Sequence, residues 1–488
     1  MTCNQTFHSA HLRLSFYIRC YLKMRKMMYL CLLVILMLSS TQGDHHIGHH
    51  HYDHPPQQHN PHPDHHHPAK DAKHDHEHDP HKHHDHPHHH HLHDKDHKHD
   101  HKADSQEEML CQKISPGNFD FAFRFFKHVA SKPNEAFKNI FFSPLSISAA
   151  FSMLSLGAKQ NSLDQLVEGL GFNRTALTDS DIHHGFEHLF HMLNTHSVDL
   201  QLNTGSALFL REGIKFQPQF LNDAQHYYAA EAFHTDFSKS VEAVKQVNDY
   251  IEKKTNGKIV NCLASVDPDT VALLLSYIAF SGKWEKPFNS NLTKEEDFFV
   301  NENVTVKVQM MYRNGRYKVH LDTSKGFQFV EIPYKGNTVM ILILPADGKM
   351  DEVIQSLTLE KIMNLHKTAF VSNINLHVPK FSIKASYKLH ELLPEMGISD
   401  IFSDLADLSG IVESPKLKIS QAQQTAVIKV DETGTEAAAV TTIEAMPMSL
   451  PFTVKLDRPF LTLICNHDTK TLLFMGKVIN PVQSSHPK

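Results

Sequence analysis

Nothing in this chain of 488 residues points to nucleic acid. It has no basic stripe and no serine/arginine tract, and its formal charge is −6 with the histidines neutral. Both features argue against a polyphosphate partner. Long apolar runs are missing too. The run from Met27 to Leu38 is too short to span a bilayer, so no membrane span is expected. Cysteine is scarce: of six, only Cys111, Cys262 and Cys465 lie beyond the first 43 residues. An odd number leaves at least one without an intrachain partner, so a disulfide scaffold does not hold this fold. No internal repeat is visible. A large apolar core must therefore do the work, and the apolar share of 41% and charged share of 21% are those of an ordinary globular chain.

Histidine is in excess. Of 42 in the chain, 26 fall between Gly43 and Ala103, beside eleven Asp or Glu and six Lys, for a net charge of about −5. With almost no apolar side chains, residues 44–110 are expected to be a disordered tail ahead of a domain spanning residues 111–488. Imidazole titrates near about pH 6.5, so mild acid would make the tail strongly positive. Neutral imidazoles suit Zn, Cu or Ni. The consecutive His88, His89, His90 and His91 are the candidate weak sites, and a protonated or metal-loaded tail would attract a heparin-like polyanion or glycosaminoglycan.

Ahead of the tail, Met24-Arg25-Lys26 leads into the Met27–Leu38 run, followed by Ser39-Ser40-Thr41-Gln42-Gly43. A basic start, a short apolar core and a small-residue exit predict a secretory signal over residues 24–43, within a signal region of residues 1–43. The expected location is extracellular. Asn173, Asn291 and Asn303 each begin an Asn-x-Ser/Thr triplet and are candidate glycan carriers on an exported chain.

Within the domain, Phe119, Ala122, Phe123 and Phe126 recur at helical spacing, and Pro144 opens a second helix through Leu156. Leu163, Leu166, Val167 and Leu170 continue the helical pattern. Ser206–Leu210 and Ile278–Ser281 read as strands, with a helix from Val241 to Lys253 between them, ended by Asn256-Gly257. Phe327–Ile332 alternates, Thr338–Leu344 is apolar on both faces, and Tyr387–Leu393 returns to helix. Phe460–Ile464 and Leu472–Val478 close the chain as strands. Helices first and strands later, without a linker, predict one α+β domain.

The segment after the strand Ala426–Val430 is unusual. Asp431-Glu432-Thr433-Gly434 stops the strand, and Thr435-Glu436-Ala437-Ala438-Ala439-Val440-Thr441-Thr442 follows, too small to build a core in place. Strand side chains alternate with period two. On one strand, Thr435, Ala437, Ala439 and Thr441 would share an uncharged face, and Glu436 and Glu444 the other. A surface linker could show the same pattern.

Six stretches in order decide between these: Asn139–Ile147 (NIFFSPLSI), Thr255–Ile259 (TNGKI), Phe280–Trp284 (FSGKW), Asp407–Gly410 (DLSG), Asp457–Phe460 (DRPF) and Phe474–Val478 (FMGKV). Through them the chain, from about Asn118 to Pro481, resembles the serpins, and within these the α1-antitrypsin-like plasma inhibitors. The resemblance implies a fold of three β-sheets and about nine helices with an exposed reactive-centre loop, here residues 432–451. It implies no catalytic residue. A serine protease cuts the loop, is held as an acyl-enzyme, and is distorted as the cleaved loop inserts as a new strand. Strain stored in the uncut fold is what such an insertion releases.

By the same resemblance Met448 precedes the scissile bond and Ser449 follows it. Glu432, Gly434, Thr435, Glu436, Ala437, Ala438 and Ala439 form the hinge. Ser143, Ser146, Ser276 and Gln424 match the shutter beneath the main sheet. Ser276 and Gln424 depart from the family's usual Asn and His there. Trp284 matches the breach where the loop enters, and Lys380 matches a partner for Glu432. Met448 suits the apolar pocket of an elastase- or chymotrypsin-like enzyme rather than one carrying an aspartate, as in trypsin. The expected molecule is a monomer. The alternatives are a non-inhibitory serpin carrier, or a metal- or polyanion-binding protein acting through its histidine tail.

Overall fold

Ser143 folds the start of the domain's most buried helix. Its hydroxyl accepts the backbone N–H of Ser146 at 3.1 Å, and Pro144 occupies the first helical position. A serine cap followed by proline satisfies one orphan donor and omits another. The helix that follows, Pro144–Ser155, is buried all round, which its run of small and apolar residues permits. The computed structural model describes residues 109–194, 199–321, 326–434 and 451–483. Of the two units into which the chain divides, all of these fall in the one comprising residues 97–488.

Nine α-helices are present among the described residues, together with fourteen strands in two hydrogen-bonded arrays. The first helix, α1 (Leu110–Ala130), starts earlier than the phenylalanine pattern predicts, and Pro116 lies inside it. Pro116-Gly117 reads as a helix breaker, yet Cys111 and Ile114 are buried and hold the leading turns to the core. The helix Pro144–Ser155 is α2, and α6 (Ser240–Lys254) ends where Asn256 and Gly257 take positive φ values of 51° and 76°.

The smaller array has five strands in the order β10 (Phe381–Lys388), β11 (Gln421–Val430), β4 (Ala272–Gly282), β2 (Leu200–Arg211) and β3 (Glu231–Thr235). Every residue of β4 is buried, as expected of a central strand covered on both faces. Period two sorts it. Leu273, Leu275, Tyr277 and Ala279 join Val247 and Ile251 of α6 in one apolar cluster, while Ala272, Leu274, Ile278 and Phe280 face the main core. Ser276 lies on the core side, toward α2.

The larger array holds nine strands. Its order is β1 (Ile140–Phe142), β14 (Thr471–Val478), β13 (Phe460–Asn466), β8 (Thr338–Pro345), β7 (Phe327–Pro333), β6 (Val304–His320), β9 (Phe370–Pro379) and β12 (Phe452–Lys455), with β5 (Lys294–Asn301) paired on β6. The long β6 pairs with β5 and β9 along much of its length and with β7 at its end. Two of the three sheets implied by the resemblance thus share this strand. β8 is buried at every position, as its apolar run predicts. β7 does not alternate as expected: Val330 and Ile332 are buried as well as Phe327 and Phe329, so both faces are covered here. Glu331 lies on the face of the two phenylalanines and is only 5% exposed. His366 Nδ1 stands 2.6 Å from its Oε1, and Lys318 Nζ 3.9 Å from its Oε2, so the carboxylate is paired under the helix Leu359–Thr368. Tyr387 is also corrected. It belongs to strand β10, and the helix there is only Leu389–Leu392. Its hydroxyl accepts Phe141 N–H at 3.1 Å, which ties this strand residue to β1.

Candidate functional site

β11 and β4 run parallel and are direct hydrogen-bonded neighbours, from Gln421↔Leu273 to Val427↔Ala279. All the other pairings of the five-stranded sheet involving β4 or β10 are antiparallel. The β4–β11 pairing stops three residues short of the end of each strand. Above that point the turn of residues 431–434, the hinge of the resemblance, closes the top. Trp284 N–H donates to Thr433 O at 2.9 Å, and Gly434 forms an antiparallel bridge with Lys283.

Trp284 anchors this end. It is 1% exposed and stacks on Tyr334 at 4.3 Å between ring centroids. Its indole N–H donates to Asp431 O at 2.9 Å, meeting the need of a buried indole for an acceptor. Asp431 in turn accepts from both Thr433 N–H, at 3.0 Å, and Thr433 Oγ1, at 2.7 Å. Gly434 has φ 137°, and a Cβ there would lie 2.1 Å from Gly282 O and 2.6 Å from Lys283 Cα. Only glycine fits this backbone and this gap.

Glu432 Oε2 stands 2.9 Å from Lys380 Nζ, while Oε1 accepts from Thr293 Oγ1 at 2.8 Å. Burial pushes the Glu432 carboxyl upward, but the Lys380 ammonium and the Thr293 hydroxyl outweigh it and hold it below its ordinary value. Its backbone carbonyl accepts from Phe288 N–H at 2.7 Å. Thr293 and Phe288 are site residues with no signature in the sequence; both contacts span well over a hundred residues, and no local pattern encodes them.

The floor of the sheet lies below. Ser276 and Gln424 are register partners across β4 and β11. Ser276 Oγ donates to Ser146 O at 2.8 Å and lies 2.7 Å from Ser146 Oγ. Gln424 Nε2 donates to Ser143 O at 2.6 Å and to Ser146 Oγ at 2.9 Å. Ser276 and Gln424 thus tie the two strands to the start of α2. Gln424 Oε1 has no hydrogen-bond partner among the described residues.

Ser143, Ser146, Ser276 and Gln424 therefore form one cluster, and Trp284, Lys380, Glu432 and Gly434 a second at the top of the same sheet. Thr435, Glu436, Ala437, Ala438, Ala439, Met448 and Ser449 lie outside the described residues, as do His88, His89, His90 and His91. Asn173, Asn291 and Asn303 are all exposed. Cys111, Cys262 and Cys465 are buried free thiols, and burial raises all three, the first two to about 11 and Cys465 to about 12. No helix among the described residues is long and apolar enough to cross a membrane.

A family profile described as Serpin (serine protease inhibitor) matches residues 116–481. The chain is 45% identical over 380 residues to the alpha-1-antiproteinase of Bos taurus, covering 78% of this chain and 91% of that one. Among solved structures it is similar to human glycosylated kallistatin, with 43% identity, a TM-score of 0.72, and coverage of 78% of this chain and all of that one. It is also similar to human thyroxine-binding globulin, with 37% identity, a TM-score of 0.74, and coverage of 77% of this chain and all of that one. With this α+β architecture, the chain belongs to the serpin family of serine protease inhibitors, related to α1-antitrypsin and kallistatin, and is an inhibitor rather than an enzyme.

Proposed function

We propose that the protein is an exported, monomeric inhibitor of elastase- or chymotrypsin-like serine proteases, cut at Met448–Ser449 and acting by insertion of residues 435 onward between β4 and β11. The observation that carries this is the parallel pairing of those two strands, unzipped over its last three residues beneath the hinge. β11 runs up into Glu432 and Gly434. A chain that turns back there must descend antiparallel to both neighbours. One parallel interface would then become two antiparallel ones, and antiparallel pairing is the slightly more stable kind per residue. Insertion must displace Gly434 from Lys283 and Thr433 from Trp284 before it gains these bonds. The small residues Thr435 to Thr442 let it do so quickly. Speed decides the outcome, because the acyl-enzyme is released if water reaches it first.

Met448 sets the target class: an unbranched apolar side chain fits an apolar specificity pocket and offers no charge to a buried aspartate. Incubation with elastase, chymotrypsin and trypsin tests the proposal. An inhibitor leaves an SDS-resistant complex with the first two and a C-terminal peptide beginning at Ser449. Clean cleavage with active enzyme remaining would instead support a carrier role, the second reading, which the likeness to thyroxine-binding globulin favours. Zn, Cu or Ni on the histidine tail, and a heparin-like polyanion drawn to it, are separate proposals; deleting residues 44–105 and measuring both activities tests them.

A further inference from the structure

Residues 288–293 clasp the hinge glutamate at both ends. Phe288 N–H donates to the backbone carbonyl of Glu432 at 2.7 Å, and Thr293 Oγ1 donates to its carboxylate at 2.8 Å. Between them lies a single tight turn, Ser290–Leu292. Asn289 Oδ1 accepts Asn291 N–H at 3.0 Å, Leu292 N–H reaches Asn289 O at 2.9 Å, and Thr293 N–H reaches Ser290 O at 3.2 Å. Asn291, exposed, stands in the middle of that turn.

Asn291-Leu292-Thr293 is also a glycan-acceptor triplet, and here it differs from the other two. Thr175 Oγ1, of the Asn173 triplet, donates back to Asn173 Oδ1 at 2.7 Å, a local turn. Thr305, of the Asn303 triplet, pairs with Phe299 in the β5–β6 hairpin. Among the described residues only the hydroxyl of Thr293 serves both an acceptor signal and the hinge.

We infer that Asn291 carries an N-linked glycan and that this glycan holds the hinge closed until the loop is cut. The reasoning is entropic and steric. A bulky sugar on the turn restricts the opened clasp more than the closed one, whose backbone is already fixed by its hydrogen bonds. It also crowds the mouth of the β4–β11 gap, where a loop, its own or that of a second copy, would enter uncut. Differential stabilisation of one state is what shifts an equilibrium. The inference rests on the reading that the hinge moves into the sheet.

The test uses the full chain expressed in mammalian cells. Peptide mapping with and without glycosidase reads occupancy at Asn291. Native gels read the rate of spontaneous conversion to loop-inserted or polymeric forms at a fixed temperature below the melting midpoint. Asn291→Gln removes the sugar and keeps the Thr293 hydroxyl; it should convert about fivefold faster or more, the lower end of typical coupling between linked sites. Thr293→Val removes sugar and hydroxyl and should convert faster still, whereas Thr293→Ser should restore occupancy and slow the conversion again. An unoccupied Asn291, or an Asn291→Gln protein converting at the parent rate, would overturn the inference. No protease is needed, so failure to trap any protease would sink the inhibitory reading and leave this result separately legible.

Discussion

Ser276 and Gln424 face one another in register across the parallel strands β4 and β11, and both hydrogen-bond Ser146 at the start of α2. The two strands that the proposed insertion would part are therefore pinned to each other and to the same helix terminus. Gln424→Ala would leave the carbonyl of Ser143 without its Nε2 donor and open a void in a fully buried place. The expected loss is about 1–3 kcal/mol of stability. Urea unfolding of the uncut protein measures it, and the same variant should form polymers sooner on warming.

The latch at Glu432 has a defined pH dependence. Its carboxyl lies below the ordinary value of 4.5 in the folded protein, for although burial raises it, Lys380 and Thr293 lower it more. A depressed carboxyl stabilises fully above its unfolded value and loses that contribution as pH falls through the folded one. The latch should hold from neutral pH down to about 5 and weaken only below the ordinary 4.5. Spontaneous conversion measured against pH should rise in that acid window, and Glu432→Gln should be faster at neutral pH and flatten the rise.

Gly434 leaves no room for a side chain. Gly434→Ala would press a Cβ onto Gly282 O and Lys283 Cα at positive φ. The hinge turn should detach from Trp284, at a cost of about 1–3 kcal/mol, the usual range for a backbone forced from its place. Trp284 is the chain's one tryptophan, so its fluorescence reports the change directly: a red shift is expected in the uncut variant, and none in a variant at exposed Gly348, where a Cβ meets nothing within 4 Å.

Much of this arrangement was legible in the sequence, for physical reasons that also set the limit. Pro144 announces the start of a helix, and the unbroken apolar run Thr338–Leu344 announces a strand covered on both faces, because a proline's fixed φ and a run of apolar side chains are local properties. Glu331 is harder: period two puts it on the face of Phe327 and Phe329, but its partner there, His366, is thirty-five residues away and has no local sign. Tyr387 misleads for the same reason, since Gln424 of β11, its register partner in the sheet, is distant in sequence. Thr293 was invisible as a hinge residue because its partner lies 139 residues on. The resemblance identified Lys380 and Glu432 as a pair, which composition and spacing alone could not do.

The specificity proposed for Met448 is chemical. Met448→Arg should move trapping from elastase- and chymotrypsin-like enzymes to trypsin-like ones, whose pocket aspartate seeks a cation. Oxidation of Met448 to the sulfoxide should slow elastase trapping, because a polar group then meets an apolar pocket. Second-order association rates with the three enzymes, for parent, variant and oxidised protein, measure both.

Thermal unfolding before and after a single cut at Met448–Ser449, made by a protease that is then removed, tests the central claim most directly. If the body of the protein keeps a strand position between β4 and β11 for its own loop, the cut form should melt higher by about 5 °C or more, since a new central strand adds several kcal/mol, each worth roughly 1–2 °C in a domain of this size. Identical melting temperatures for the cut and intact forms would contradict it.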